Sequence, residues 1–195
     1  MPSPLLPYGK SRSLTHGEIM FAQKIFGASI QYTWVKIHHG KYMRFQPDHV
    51  VMTPNGEIYF PTRFYQNDYS STLRHDLKHL FIHEMAHVWQ YQLGYLVKIA
   101  GIFQSSIGYG YDYKLKPDTV FSDYPMEAQA NIIADYAMFD YHSSKGEFKK
   151  SSYSLQELQA ILKNFINNPS SKENLPKDSN RKCEIEPNSA DCLTR

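Results

Sequence analysis

The chain has 195 residues, 42% of them hydrophobic and 21% charged, with a formal net charge of +2; these values fit one domain with its own core and exclude a disordered chain. The 21 basic residues are scattered, so the clustered positive face that nucleic-acid binding needs is missing. No run approaches the roughly 18 apolar residues of a membrane span.

The opening stretch, "MPSPLLPYGKSRS", has prolines where a secretory signal carries an apolar run, so no classical signal peptide is expected. The next stretch, "LTHGEIMFAQKIFG", predicts a helix: Thr15 and Glu18 form a capping box, Leu14 and Ile19 a hydrophobic staple, and Gly27 suits the C-terminal end. "SIQYTWVKIHH" is rich in β-branched and aromatic residues, and "DHVVMTPNGEIYFPT" reads as a hairpin turning at Asn55-Gly56. Together they predict a small antiparallel sheet. Residues 56–62 are expected to lie beside His83 and the metal it would bind, as an exposed edge to which an extended peptide adds a strand.

From Ser71 to Leu93 there is no Gly or Pro, and Gly94 sits where a helix would stop. Apolar residues fall on both sides of this long helix: Leu77, Leu80, Phe81 and Val88 on one, Ile82, Met85, Ala86, Trp89 and Leu93 on the other. The helix is therefore expected to be buried on most of its circumference, and polar residues at 83, 84 and 87 need a reason. A Gly-, Tyr- and Ser-rich loop follows, then a helix in "PMEAQANIIADYAMFDYH" with Pro125 at its start, then a third in "SLQELQAILKNFINN" with Ser154 and Glu157 as a capping box. The expected organisation is α+β: one domain over residues 1–168 and a polar, mobile tail over 169–195. The tail holds Cys183 and Cys192, which read either as a small disulfide loop or as two spectator thiols, depending on the compartment.

The long helix contains His83-Glu84-x-x-His87. Residues four apart on a helix lie one turn on and about 40° round, so both imidazoles can bind one ion. Glu84, about 100° from His83, is poorly placed as a ligand and is the natural general base. His75 and His79 extend the four-residue spacing backwards, but only the 83/87 pair encloses a glutamate and lies among apolar neighbours; the other two are expected to be solvated or in supporting roles. A catalytic Zn2+ needs a third protein ligand. Glu127, in the first turn of the next helix, is the leading candidate; Asp123, Asp135 and His142 compete with it. Asn131 and Asp135, one and two turns further on, are candidate acceptors for the second nitrogen of a ligating histidine. Tyr109, Tyr111, Tyr113 and Tyr136 are candidate oxyanion stabilisers, with nothing to choose among them.

The motif in the form H-E-M-x-H-V-W-Q, with "LTHGEI", "IFG", "VMTPNGEIYF" and "DYS" before it and "EAQANIIADY" after it, resembles the zinc metallopeptidase effector domains carried by some type VI secretion spike (VgrG-type) and Rhs-type bacterial proteins. The resemblance implies a zincin-like fold of the gluzincin kind, in which a long active-site helix packs against further helices. It implies Zn2+ held by His83, His87 and Glu127, with Glu84 catalytic and a peptide or protein as substrate. It further implies an antibacterial toxin delivered by a secretion system into a competitor's periplasm, with a spike carrier and an immunity protein as partners. The alternatives are a housekeeping metallopeptidase, a zinc amidase acting on cell-wall peptides, and a non-catalytic binding module stabilised by zinc.

Overall fold

A computed structural model of the chain describes residues 4–97, 113–142 and 153–177. Cys183, Cys192, Tyr109 and Tyr111 lie outside them. Helix α1 (His16–Phe26) begins where its capping box predicts: Thr15 Oγ1 accepts the Glu18 N–H at 3.1 Å and Glu18 Oε2 accepts the Thr15 N–H at 2.8 Å. The buried Glu18 carboxylate also accepts both terminal nitrogens of Arg12 at 2.8 Å and the Tyr69 N–H at 2.9 Å. A carboxylate tolerates such burial only because its lone pairs are occupied and its charge is matched. This knot joins strand β1 (Ser11–Ser13), α1 and the segment leading to the long helix.

The sheet has three strands and is mixed, which corrects the expectation of an antiparallel one. Strand β2 (Lys36–His39) is central, antiparallel to β1 and parallel to β3 (Ile58–Phe60), with Ile37 opposite both Arg12 and Ile58. The turn expected at Asn55-Gly56 does form, and Gly56 takes φ +75°, but the hairpin around it is reduced to one bridge, Met52 with Tyr59. Two local features keep it short. Pro54 has no N–H to give to a ladder, and the turn presses on the long helix so closely that a Cβ at Gly56 would lie 2.6 Å from Tyr91 Cδ1. Tyr59 is thus paired on both sides, and among the described residues the outer edge beyond it is residues 51–53, not 56–62.

Helix α2 (His75–Gln92) starts four residues later than the expected Ser71. The stretch before it is engaged in a turn, in which Asp68 Oδ1 accepts both the backbone N–H and the hydroxyl of Ser70. Leu77, Phe81, Ile82, Met85, Ala86, Val88 and Trp89 are all buried, so α2 is enclosed on most of its circumference as its sequence predicts. It packs most extensively on α3 (Met126–His142), whose first intrahelical bond runs from Gln129 N–H to the Pro125 carbonyl. Small residues at 130, 134 and 137, all buried alanines, let the two helices come close.

The third predicted helix is two short ones, α4 (Leu155–Ile161), capped by Ser154 and Glu157, and α5 (Lys163–Asn167), with the break at Leu162. Phe165 from α5 meets Trp89 edge-on at 5.2 Å, and Phe26 and Phe121 complete that aromatic cluster. Residues 169–177, assigned by the sequence to the tail, belong to the domain: Trp89 Nε1 donates to the Pro169 carbonyl at 2.8 Å, and Asn174 and Leu175 are buried. Their polar composition hides this, because the segment is held by hydrogen bonds to backbone carbonyls and by the buried Leu175 and Pro176. No helix among the described residues is long and apolar enough to cross a membrane.

Candidate metal centre

His83 and His87 project from α2 towards the N-terminal turn of α3, where Glu127 faces them. His83 Nε2 and His87 Nε2 lie 3.1 Å apart, and Glu127 Oε2 is 3.1 Å from the first and 3.3 Å from the second. Both imidazoles are buried and Glu127 is partly exposed. Among the described residues these three form a group of side chains able to share an ion, with ligand atoms within 4.8 Å of one another.

The hydrogen-bond network fixes which nitrogen of His87 is free. Gln129 Nε2 donates to the backbone carbonyls of Phe121 and Asn174, both at 2.9 Å, so its oxygen faces the other way, towards Gln90. Gln90 Nε2 donates to that oxygen and to the Met126 carbonyl, both at 3.1 Å, which turns Gln90 Oε1 to His87 Nδ1 at 2.9 Å. An acceptor there requires His87 Nδ1 to carry the hydrogen, leaving the Nε2 lone pair directed at the centre. Asn131 Oδ1 sits 2.9 Å from His83 Nδ1 and has the same effect on the other ring. Two neutral imidazoles so held present opposed lone pairs 3.1 Å apart beside a carboxylate, an arrangement that repels itself unless a cation or a proton lies between. The donor set, two imidazoles and one carboxylate, is of the type that holds a catalytic zinc ion.

The electrostatics follow from the same geometry. Burial works against an imidazolium at His87, but the Glu127 and Glu84 carboxylates outweigh it and push the residue up to about 9. Burial likewise opposes charge on Glu127, yet the two imidazoles hold its carboxyl well below the usual carboxylate range. A proton on His87 beside the Glu127 carboxylate relieves the repulsion between the two rings.

Glu84 follows His83 on α2. It is buried, and its Oε2 accepts a hydrogen bond of 2.6 Å from Thr53 Oγ1. A cleft of about 500 Å³ opens beside it, lined by His79, His83, Glu84, Tyr113, Asn131 and Asp135 among others.

No protein-family model matches the chain. The type VI secretion system spike protein VgrG2b of Pseudomonas aeruginosa is 37% identical over 158 residues, a match that spans 79% of this chain and 15% of that much longer protein. The solved structure of the effector domain of Pseudomonas aeruginosa VgrG2b superposes with a TM-score of 0.64 at 32% identity, covering 78% of this chain and 82% of that one. The chain belongs to the VgrG2b effector-domain family.

Within this effector domain the competing ligands lie elsewhere. Asp123 caps the turn at Val120 and pairs with Lys177 at 2.6 Å. Asp135 bridges His79 Nε2 at 2.8 Å and the Tyr113 hydroxyl at 2.6 Å, two turns beyond Glu127 along α3 and outside the group. The side chain of His142 lies outside the described residues. Tyr113, one of the four tyrosines singled out, lines the cleft with its hydroxyl given to Asp135, while Tyr136 packs against the core. Asn131 takes the orienting position that its spacing from Glu127 suggests; Asp135 does not. Gln90 belongs to no metal-site motif, although it stands three residues after His87, a spacing that puts it within reach on the same helix. Gln129 and Thr53 left no local signal, since their partners are distant in the chain.

Proposed function

We propose that the domain is a zinc-dependent hydrolase that cleaves peptide bonds and acts as an antibacterial toxin. The observation that carries this is the convergence of His83, His87 and Glu127 on one point, with their remaining donors fixed and a buried glutamate on the wall of an adjoining cleft. His83, His87 and Glu127 would hold the ion. A bound zinc ion supplies Lewis-acid polarisation of the scissile carbonyl and makes water a better nucleophile at neutral pH. Glu84 takes the proton of the attacking water and passes it to the leaving amine. Thr53 and the helix keep that carboxylate in place, Asn131 and Gln90 keep both imidazoles turned inwards, and the edge at residues 51–53 gives an extended peptide backbone a line to follow beside Glu84.

A three-ligand group bordered by a cleft favours chemistry over a structural zinc, which is usually closed by four ligands. Kinship with a spike-borne effector domain supports delivery by a type VI system on a spike carrier; action in the target-cell periplasm and an immunity protein in the producer complete the proposal. Purified protein incubated with an unstructured protein substrate is expected to cleave it, to stop on chelation and to recover with added zinc. Cleavage unaffected by a chelator that strips the metal would reject the reading.

A second expectation concerns the orienting amides. Gln90→Leu and Asn131→Leu should each weaken zinc binding by about 10- to 100-fold, because the imidazoles lose the acceptors that set their tautomer. Competition against a chromophoric zinc chelator measures this, and unchanged affinity in both variants would show that the rings hold their orientation unaided.

A further inference from the structure

We propose that Thr53 is a positioning residue for the reaction: its hydroxyl clamps Glu84 Oε2, so that Oε1 alone is left to handle the proton. The inference rests on the reading of Glu84 as general base. The contact is 2.6 Å long between two side chains that are each 4% exposed, so water does not compete for it. A carboxylate only accepts, which makes the threonine hydroxyl the donor. Glu84 is otherwise a long, rotatable side chain, and a hydrogen bond to one oxygen removes most of that freedom.

The clamp is stiff because its own backbone is pinned on both sides. Before Thr53, Met52 exchanges two backbone bonds with Tyr59, at 2.9 and 3.4 Å, and so is fixed to the sheet. After it, Pro54 restricts φ, and Gly56 lies against the Tyr91 ring, two turns along α2 from Glu84. The hydroxyl is therefore referenced both to the sheet and to the helix that carries Glu84. It also belongs to the outer edge at residues 51–53, so the same short segment that would align a peptide sets the orientation of the group that acts on it.

Misplacing a reacting group by about 1 Å costs on the order of 10²-fold in rate. The test compares wild type, Thr53→Val, Thr53→Ser and Glu84→Gln, each with zinc content measured. Thr53→Val should keep its zinc and its KM while kcat falls about 10- to 100-fold; Thr53→Ser, which restores the donor, should recover most of the loss. A second readout needs no turnover. In chelator-treated protein, Thr53→Val should lower Tm in the wild-type background and do so much less in a Glu84→Ala background, since the partner is gone. Wild-type kcat in Thr53→Val alongside an inactive Glu84→Gln would overturn the clamp and leave the base intact. Equal kcat losses in the valine and serine variants, loss of zinc from Thr53→Val, or additive Tm shifts would overturn it too. Turnover retained in Glu84→Gln would remove the base and the clamp together. If Thr53→Val does not fold, Thr53→Ala, which also removes the donor, takes its place with the same expected outcomes.

Discussion

Glu84→Gln is expected to keep the fold and the zinc and to lose turnover by about 10²- to 10⁴-fold, the range by which a positioned acid or base accelerates proton transfer. The substitution is nearly isosteric, and the amide oxygen still accepts the Thr53 hydroxyl, so the local packing has no reason to change. What disappears is the ability to take a proton. Zinc per chain by elemental analysis, Tm and turnover of one peptide substrate, measured on the same preparation, separate these effects. Zinc-replete Glu84→Gln with wild-type kcat would sink the assignment.

Glu127→Ala should lower zinc occupancy and abolish activity, because two neutral imidazoles alone hold the ion loosely and leave its charge without a carboxylate. Asp135→Ala provides the contrast. Its carboxylate contacts His79 and Tyr113 and stands apart from the ring pair, so zinc should stay and any defect should not exceed about 10- to 100-fold. Full zinc and activity in Glu127→Ala, with loss in Asp135→Ala, would move the ligand role to Asp135. The metal-free protein offers a check of the same pair. With His87 pushed up from 6.5 to about 9, its pairing with Glu127 contributes stability in full below pH 6.5 and loses it as pH rises through 9. Glu127→Ala should flatten that part of the Tm-against-pH curve.

The parts of the structure legible in the sequence are those fixed by near neighbours in the chain. Thr15 with Glu18 and Ser154 with Glu157 announce their helices because a capping box closes within four residues. The His83/His87 pair is visible because one helical turn sets its spacing; Glu127, 44 residues from His83, is only a leading candidate from its place in the first turn of a helix whose small residues allow close approach. Long-range choices are not visible. Nothing in "GEIYF" says that it runs parallel to "KIHH". The dense polar stretch after Pro169 hides Leu175, which is buried in the core cluster that also holds Trp89 and Phe165. Thr53 reads as one more turn residue until Glu84, 31 residues later, is seen across from it.

Gln129 has a consequence for how the domain comes apart. Its single amide feeds the carbonyls of Phe121 and Asn174 while receiving the Gln90 N–H, so three stretches of chain and the orientation of His87 depend on one buried group. Peeling away residues 169–177 would strip one of its N–H groups of an acceptor inside the protein, at a cost of about 1–3 kcal/mol for an unsatisfied buried donor. That penalty sets a floor under any partial opening at this end. Fraying of this segment is therefore opposed by the Gln129 amide as well as by the burial of Leu175.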